Sequence, residues 1–172
     1  MKRIFILSIL VVCVGIAFGQ AKSAIDYLSE GSTYFVEGNF KKAIPPYQKA
    51  LDLEKAHRTL NKTQWRVLVD NLGISYGITG RTTAGNTKKA KEMFEYGILK
   101  DPDYPLFYYS LACTYSEMNN MDKAIEYLKL AFARKKNLMR GEKMPTPATD
   151  PSFQRFISND RFVSVLQELS SK

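Results

Sequence analysis

The chain has 172 residues, a formal charge of +8, two cysteines and a single histidine. This length is enough for one domain with a substantial core. The sequence contains no cysteine and histidine cluster with metal-ligand spacing, and no glycine-rich phosphate loop follows a predicted strand. We therefore predict a protein without enzymatic activity, cofactor or metal. The positive charge favours acidic partners or anionic surfaces and carries no information about the fold.

The first residues have the plan of a secretory signal peptide. Lys2 and Arg3 precede a mostly apolar run over residues 4–18, and Gly19 and Ala21 provide a small-residue exit. We expect a signal peptide at residues 1–19 with cleavage after Gly19, and cleavage after Ala21 is the second choice. The segment predicts an exported protein that is periplasmic or secreted.

Two other roles for this segment stay open. Cys13 raises the alternative of a bacterial lipoprotein, but Val12 stands where lipoprotein processing needs a small residue. The apolar run is short for a bilayer span of roughly 20 residues, although tilting or a thinned bilayer would let it act as an uncleaved anchor. Cleavage would leave Cys113 as the remaining thiol, so we expect no internal disulfide.

A first helix pair is predicted directly after this segment. Residues 22–36 and 40–56 have helical patterns, and Gly38 suits the left-handed end of the first helix. Pro45 and Pro46 remove helix hydrogen bonds beyond the first turn of the second helix. We therefore expect a local kink there that faces solvent.

The second pair begins late relative to the first. We predict its helices at residues 65–78 and at about 87–99. Gly31 and Gly73 occupy corresponding places in the first two pairs, and the interval between them is eight positions longer than the interval from Ala90 to Ala124 in the later pairs. Either the preceding helix runs long or a loop around residues 60–63 is inserted.

The third pair and the tail complete the predicted elements. Pro105 begins a helix, and its partner covers about residues 121–136. We predict a loop without regular structure at residues 141–149. A short helix with proline at its first position is predicted at residues 150–157, and a final helix at residues 161–169. The apolar residues of this tail, which would cap the open face of the third pair, are Phe153, Phe156, Phe162, Val165, Leu166 and Leu169.

A signature of small and large residues recurs along the three pairs. A small residue lets two helices approach closely, and we expect the aromatic residue three positions later to fill the groove beside it. The steps from Ala90 to Ala124 and from Gly97 to Ala131 both equal the period of tetratricopeptide arrays, which is about 34 residues. The first helices carry Gly31 with Tyr34, Gly73 with Tyr76, and Ala112 with Tyr115; the second helices carry Ala43/Tyr47/Ala50, Ala90/Phe94/Gly97 and Ala124/Leu128/Ala131.

On these motifs the chain resembles the tetratricopeptide repeat (TPR) family, in a small exported bacterial form. The resemblance implies an all-α fold, a right-handed superhelix of about three helix pairs plus C-terminal capping helices. An ordinary antiparallel helical bundle is the alternative, which the repeat period disfavours. The implied organisation is a signal peptide at 1–19, a TPR array at 22–136 with repeats at about 24–57, 66–104 and 105–138, and a loop with capping helices at 139–172.

In TPR proteins the first helices of the pairs line a concave groove that binds a peptide or a helix. The resemblance places ten residues there: Leu28, Ser32, Phe35, Asp70, Asn71, Ile74, Leu106, Tyr109, Ser110 and Cys113. Asn71 could bond a peptide backbone, whereas Phe35 and Tyr109 are equally well explained by packing between adjacent pairs. Leu28 and Ser32 occupy the lysine and asparagine places of the family's carboxylate clamp, so that clamp is absent.

The resemblance predicts a non-enzymatic protein–protein interaction scaffold of the cell envelope. Nucleic acid is not an expected partner, membrane contact is expected only if the signal segment is uncleaved, and the solenoid end offers a surface for a homo-oligomer. The alternative is a basic adaptor for anionic lipid or polysaccharide, and a solvated charged face is the simplest interpretation of the same residues. The basic residues concerned are Lys88, Lys89, Lys91, Lys135, Lys136 and Arg140.

Overall fold

The computed structural model describes residues 21–170, which are helical with irregular links and contain no strand. The predicted signal segment, including Cys13, lies outside the described residues. No helix within 21–170 combines the length and apolar character needed to cross a membrane. The helices are α1 (Ala24–Val36), α2 (Phe40–Ala56), α3 (Lys62–Thr79), α4 (Asn86–Lys100), α5 (Pro105–Glu117), α6 (Met121–Ala133) and α7 (Asp160–Ser170), with 3₁₀ helices at Lys135–Asn137 and Pro151–Phe156.

Six of these helices form three stacked pairs. α1 packs on α2, α3 on α4, and α5 on α6, and consecutive pairs meet where α2 contacts α3 and α4 contacts α5. α3 also contacts both α1 and α5, so the first helices of the pairs lie side by side. We call their shared side the first-helix face. The predicted all-α fold of three helix pairs with C-terminal capping helices is confirmed.

Close approach within a pair depends on the small residue of its first helix. A Cβ atom added to Gly31 would lie 2.5 Å from Tyr47 Cδ1, and one added to Gly73 would lie 2.5 Å from Phe94 Cζ. The ring beside each glycine therefore comes from the second helix of the same pair. The expectation that Tyr34 fills the space beside Gly31 is wrong, because that space lies between the two helices of the pair.

Longer helices and a longer link together explain the wide spacing between the first two pairs. α2 continues three residues further beyond Ala43 than α4 does beyond Ala90. α3 begins four residues earlier before Gly73 than α5 does before Ala112, and the link at 57–61 is one residue longer than the link between α4 and α5. These differences account for the eight extra residues.

Local capping sets where the helices begin and end. The Asn61 side chain accepts the Gln64 N–H, and the Gln64 side chain accepts the Asn61 N–H, which is a capping box. α3 consequently begins three residues before the predicted start at Trp65. Gly38 has φ +75° at the end of α1, as its position predicted. Pro45 is exposed but Pro46 is buried in α2, so the expectation that both prolines face solvent is wrong for Pro46.

The tail covers the third pair. Residues 138–150 form no regular helix, and the Asp150 side chain accepts the Ser152 N–H at the start of the second 3₁₀ helix. That 3₁₀ helix packs on α5, and α7 packs on α6. Five of the six predicted apolar tail residues are buried, namely Phe153, Phe156, Phe162, Val165 and Leu169, and Leu166 is partly buried.

Candidate functional site

A cavity of about 330 Å³ opens on the first-helix face between α3 and α5. We call it the groove cavity. Its apolar wall includes Ile74 and Ile78 from α3, Leu106 from α5, and Phe94 from α4 beneath them. The side chain of Ile78 is 43% exposed, so the apolar wall reaches the surface. The arrangement can accept an apolar side chain from another molecule.

One carboxyl group lies inside this wall. Asp70 Oδ1 accepts a hydrogen bond of 3.1 Å from the Ser110 hydroxyl. Burial raises the pKa of Asp70 to about 7, the Ser110 hydrogen bond opposes the rise, and the charge of Glu142 adds to it. Near neutral pH this carboxyl group is therefore divided between its two protonation states and can either donate or accept a hydrogen bond.

The tail forms the opposite wall of the groove cavity. The Tyr109 hydroxyl donates to Asp150 Oδ2 at 2.8 Å, and Cys113 Sγ donates to the same oxygen at 3.8 Å. The Ser116 hydroxyl donates to the Ser152 carbonyl at 2.6 Å. α5 is thus joined to the tail along two turns, and the tail occupies the part of the first-helix face that belongs to the third pair.

The same contacts set the chemistry of the thiol and the phenol. Burial raises the pKa of the Cys113 thiol well above its ordinary value, and the Asp150 charge adds to the rise. Burial likewise raises the pKa of Tyr109. Cys113 therefore remains a neutral thiol, which is a poor nucleophile.

Two further contacts fasten the tail at the ends of the groove cavity. Arg81, in the turn after α3, and Arg155, in the tail, both pair with Glu117 at the end of α5. At the other end the Tyr104 hydroxyl donates to Glu142 Oε1 at 2.6 Å. The tail therefore forms a fixed wall, and an incoming ligand would meet a preformed cavity.

Six of the ten predicted groove residues line this cavity. They are Asp70, Ile74, Leu106, Tyr109, Ser110 and Cys113. Tyr109 is only 4% exposed, because the tail covers it. The Phe153 ring lies edge-on to it at 5.9 Å, and its predicted contact with a ligand stays a prediction.

The other four predicted groove residues do not reach the cavity. Leu28 is 5% exposed and belongs to the core. Phe35 packs edge-on against Phe40 and Tyr47, within its own pair. The Tyr47 hydroxyl accepts a hydrogen bond from Asn71 Nδ2 at 3.0 Å and donates to Ser32 Oγ at 3.2 Å. One N–H of the Asn71 side-chain amide is thus used inside the protein, and its predicted role in bonding a peptide backbone stays a prediction.

Several residues of the cavity were missing from the sequence prediction. Ile78 and Glu117 lie four positions beyond Ile74 and Cys113, so extending the helical spacing by one turn would have found both. Pro145, Asp150 and Ser152 come from the tail. No periodic pattern places a loop of this kind against a distant helix.

The six predicted basic residues do not form one surface. Lys88, Lys89 and Lys91 lie in the first turns of α4, whereas Lys135, Lys136 and Arg140 follow the end of α6. α4 and α6 each pack on α5 across short links, so both run antiparallel to α5 and parallel to each other. The two basic sets therefore lie at opposite ends of the helix layer, about 20 Å apart at about 1.5 Å per residue.

Three of these lysines also have partners within the protein. Lys88 Nζ is 3.8 Å from Glu92 Oε1. Lys91 Nζ is 2.7 Å from Glu95 Oε1 one turn later on α4. Lys89 Nζ lies 5.5 Å from the centre of the Tyr76 ring. These arrangements are typical of a solvated helix surface. Across residues 21–170, no group of three or more histidine, cysteine, aspartate or glutamate side chains could hold a metal ion.

Comparison with known protein families gives a match to the third helix pair. Residues 106–138, which include α5 and α6, match the tetratricopeptide repeat family. No curated protein sequence matches the chain significantly. The chain therefore carries a tetratricopeptide repeat in its third helix pair, as the recurring motifs indicated.

Solved structures extend the likeness to the whole fold. The crystal structure of PcrH from Pseudomonas aeruginosa is 18% identical with a TM-score of 0.54, over 86% of this chain and 91% of that one. The Yersinia enterocolitica type III secretion translocator chaperone SycD, in an alternative dimer, is 17% identical with a TM-score of 0.55, over 86% and 92%. PcrH in complex with the chaperone binding region of PopB is 17% identical with a TM-score of 0.52, over 83% and 93%. The described chain has the fold of these helical proteins.

Proposed function

We propose that this protein is a non-enzymatic scaffold that binds a segment of another protein in the groove cavity. The observation that carries the proposal is the cavity itself, a preformed apolar recess between α3 and α5 with Asp70 inside it. A protein of similar fold, PcrH, has been crystallised with the chaperone binding region of PopB. That complex supports a polypeptide as the ligand of the present chain.

The size of the groove cavity defines what the partner inserts. A volume of about 330 Å³ holds one or two side chains and is too small for a whole helix. Burying a leucine or phenylalanine side chain against Ile74, Ile78 and Leu106 would contribute roughly 1.5–3 kcal/mol. Asp70 would hold the adjoining backbone through an N–H or a carbonyl, according to its protonation state. The partner is therefore a peptide or helix that presents an apolar anchor residue.

The proposed setting is the cell envelope. The charged start, apolar run and small-residue exit of residues 1–19 support export. The partner would then be a periplasmic, secreted or membrane-attached polypeptide. The alternative of a basic adaptor for anionic lipid or polysaccharide receives less support, because its six residues divide into two distant sets.

Site-specific photo-cross-linking in the source cells tests the proposal. A benzoylphenylalanine placed at Ile78 should cross-link a polypeptide, whereas one placed at Leu99 should not. Leu99 is a matched control, because it is a 75% exposed apolar residue of α4 that does not line the groove cavity. The cross-linked segment is then synthesised and its affinity measured for the parent protein, Ile78→Glu and Leu99→Glu.

We expect Ile78→Glu to weaken binding at least tenfold, because a charge would enter the apolar wall, and Leu99→Glu to leave the affinity within twofold. Helicity should be unchanged in both variants, since both side chains are already exposed. Equal cross-linking at the two positions, or equal affinity for the two variants, would show that the groove cavity is not the binding site.

A further inference from the structure

A second cavity, of about 570 Å³, lies where α2 ends, α3 begins and α4 ends. We call it the junction cavity. It shares no lining residue with the groove cavity. Trp65, in its wall, lies about 140° around α3 from Asp70 at about 100° per residue. The two cavities therefore open on different sides of the same helix.

The extra length between the first two pairs builds this cavity. Relative to the later pairs, α2 is extended by residues 54–56 and α3 by residues 62–65. Six of the nine lining residues come from these extensions and the link between them: Glu54, Lys55, Arg58, Leu60, Lys62 and Trp65. The junction between the second and third pairs lacks these residues. The extra residues that break the repeat period therefore form most of the wall of the junction cavity.

Cations outnumber carboxylates in the wall of the junction cavity. The four cations are Lys55, Arg58, Lys62 and Lys100, and the two carboxylates are Glu54 and Asp101. Each cation comes from a different element, namely α2, the link, α3 and α4. The positive charge therefore surrounds the recess instead of projecting from one helix surface. An anion entering it would meet cations from several sides.

The carboxylates are already satisfied within the protein. Glu54 Oε2 accepts the backbone N–H groups of Thr59 at 2.8 Å and Leu60 at 3.0 Å, which shapes the link. Asp101 Oδ2 lies 2.7 Å from Arg66 Nε in a pair that is almost wholly buried. Asp101 Oδ1 also pairs with Lys62 Nζ at 3.3 Å, and neither acid pairs with Lys55, Arg58 or Lys100.

Two cations at the mouth of the cavity are free to meet a ligand. In the part of the chain that the structure describes, neither Arg58 nor Lys100 has an ion-pair partner. Both residues are exposed. An exposed guanidinium can bind a carboxylate through two parallel hydrogen bonds. These two residues are the natural contacts for an incoming acidic group.

The floor of the cavity is aromatic. The Trp65 and Tyr96 rings lie with centroids 6.1 Å apart, and Trp65 packs edge-on against Phe107 at 5.7 Å. Phe107 is fully buried, so the indole is held in place from behind. Lys55 Nζ lies 5.3 Å from the centre of the Tyr96 ring. The recess thus offers an apolar surface directly beside its cations.

We propose that the junction cavity binds an acidic polypeptide segment, whose carboxylates pair with Arg58 and Lys100 and whose apolar side chain packs on Trp65 and Tyr96. The volume exceeds what a single carboxylate or phosphate fills. Alternate side chains of an extended peptide are about 6.6 Å apart, so carboxylates and apolar groups can reach different parts of the recess. A flat membrane surface cannot enter a recess, and an acidic polysaccharide carries no apolar side chain for the rings. This site is separate from the proposed function of the groove cavity.

The chain supplies its own probe, because Trp65 is its only tryptophan. The test uses the chain without residues 1–19 and a blocked hexapeptide with glutamate at its first and fifth positions, leucine at its third and serine elsewhere, at about 0.15 M salt. Glutamate and leucine then lie on the same face of the extended peptide. Binding is followed by Trp65 fluorescence and by the anisotropy of the labelled peptide. A peptide with glutamine in place of glutamate, an anionic polysaccharide (heparin) and vesicles containing phosphatidylserine are measured in parallel.

The decisive variant is Arg58→Glu with Lys100→Glu, and its matched control is Lys41→Glu with Lys136→Glu. Both double variants change the net charge by the same amount, and all four residues are exposed. We expect the acidic peptide to change Trp65 fluorescence, the cavity variant to weaken its binding at least tenfold, and the control to stay within twofold. Circular dichroism should show the same helicity in all three proteins.

Several outcomes would overturn the proposal. An unchanged Trp65 signal, or equal binding of the glutamine peptide, would exclude an acidic segment in the cavity. Equal loss of peptide affinity in both double variants would show that binding depends on the net charge of the protein and not on the junction cavity. Tighter, cavity-dependent binding of heparin or of the vesicles would assign the site to a different class of ligand.

Discussion

The Tyr109 hydroxyl donates a 2.8 Å hydrogen bond to Asp150 Oδ2, which fastens the first-helix face of the third pair to the tail. The same tyrosine ring packs edge-on against Phe153. Through these contacts the protein's own tail covers the end of the first-helix face. The groove cavity lies beside this covered end, between α3 and the tail.

Removing that hydroxyl should loosen the tail. In Tyr109→Phe the ring can keep its contact with Phe153, but Asp150 loses a hydrogen-bond donor in a part-buried place. We expect the free energy of unfolding to fall by about 1–2 kcal/mol. We also expect faster amide hydrogen exchange in residues 145–157. Urea denaturation and exchange followed by mass spectrometry measure the two effects.

Tyr34→Phe is the matched control for this prediction. In the described chain the Tyr34 hydroxyl has no hydrogen-bond partner. Its loss should therefore change the free energy of unfolding by no more than about 0.5 kcal/mol. If Tyr109→Phe left the exchange of the tail unchanged, the Asp150 contact would not be what holds the tail.

The regular part of the fold was predictable because its signals are local. Small residues recur where helices approach, and glycine, proline and asparagine mark the turns. Helix ends were less certain, since α3 begins at a capping box, Asn61 with Gln64, that precedes the first strongly apolar residue of the helix. Local signals thus fixed the number and pairing of the helices better than their starts.

The candidate site was predictable only in part. The face of α3 and α5 follows from the helical period, and six predicted residues line the groove cavity. The interactions of Asn71 and Phe35 with Tyr47 depend on how the second helix is rotated, which a periodic pattern does not give. The tail wall depends on a contact between Asp150 and Tyr109, which are far apart along the chain. Such non-local contacts have no sequence signal in a single chain.

Adding one methyl group at Gly73 should strain the second pair. A Cβ atom there would lie 2.5 Å from Phe94 Cζ, and the Phe94 ring is 2% exposed and has little room to move. We expect Gly73→Ala to lower the free energy of unfolding by about 1–3 kcal/mol, as overpacked cores do. Thermal and urea denaturation measure the loss.

Gly77→Ala provides the control in the same helix. A Cβ atom at Gly77 meets Ala90 Cβ at 3.9 Å, an ordinary contact. Alanine favours the helix by about 0.5–1 kcal/mol over glycine, so this variant should be more stable than the parent. Equal effects of the two substitutions would show that Phe94 does not limit the space beside Gly73.

The stability of the protein should depend on pH through Asp70. Burial raises the pKa of Asp70 to about 7 in the folded protein, from an ordinary value of 3.8. Between about pH 4 and pH 7 the folded state therefore binds a proton that the unfolded state has lost. The contribution of this bound proton to the free energy of unfolding falls as pH rises through this window and is lost above pH 7.

Asp70→Asn should remove this fall, since asparagine stays neutral and can still accept from Ser110. We expect the variant to match the parent near pH 4 and to exceed its free energy of unfolding by about 4 kcal/mol at pH 8.5. Urea midpoints measured from pH 4 to 8.5 give the difference curve, with the exposed Asp103→Asn as control. A flat difference curve, or one that rises toward acid pH, would show that Asp70 is not perturbed in this way.

The buried pair of Arg66 and Asp101 gives the last prediction. Arg66 Nε lies 2.7 Å from Asp101 Oδ2, and the guanidinium stacks 4.2 Å from the centre of the Tyr104 ring. Although burial opposes it, the hydrogen bond and charge of Arg66 hold the pKa of Asp101 below its ordinary value. The stabilisation that Asp101 provides is thus present at neutral pH and is lost as pH falls below about 4.

Arg66→Met leaves a buried carboxylate without its close partner and should cost about 3 kcal/mol of unfolding free energy at pH 7. The loss should shrink at pH 3, because without Arg66 the buried Asp101 carboxyl group can take up a proton and no longer leaves an unpaired charge. Lys62→Met tests the same carboxylate from the outside: the Lys62 side chain is 67% exposed and its Nζ lies 3.3 Å from Asp101 Oδ1, so we expect a loss below about 1 kcal/mol. Urea denaturation at pH 7 and pH 3 measures both variants. Equal losses for the two, or a loss for Arg66→Met that does not depend on pH, would mean that Arg66 acts by packing on Tyr104 and not through its charge.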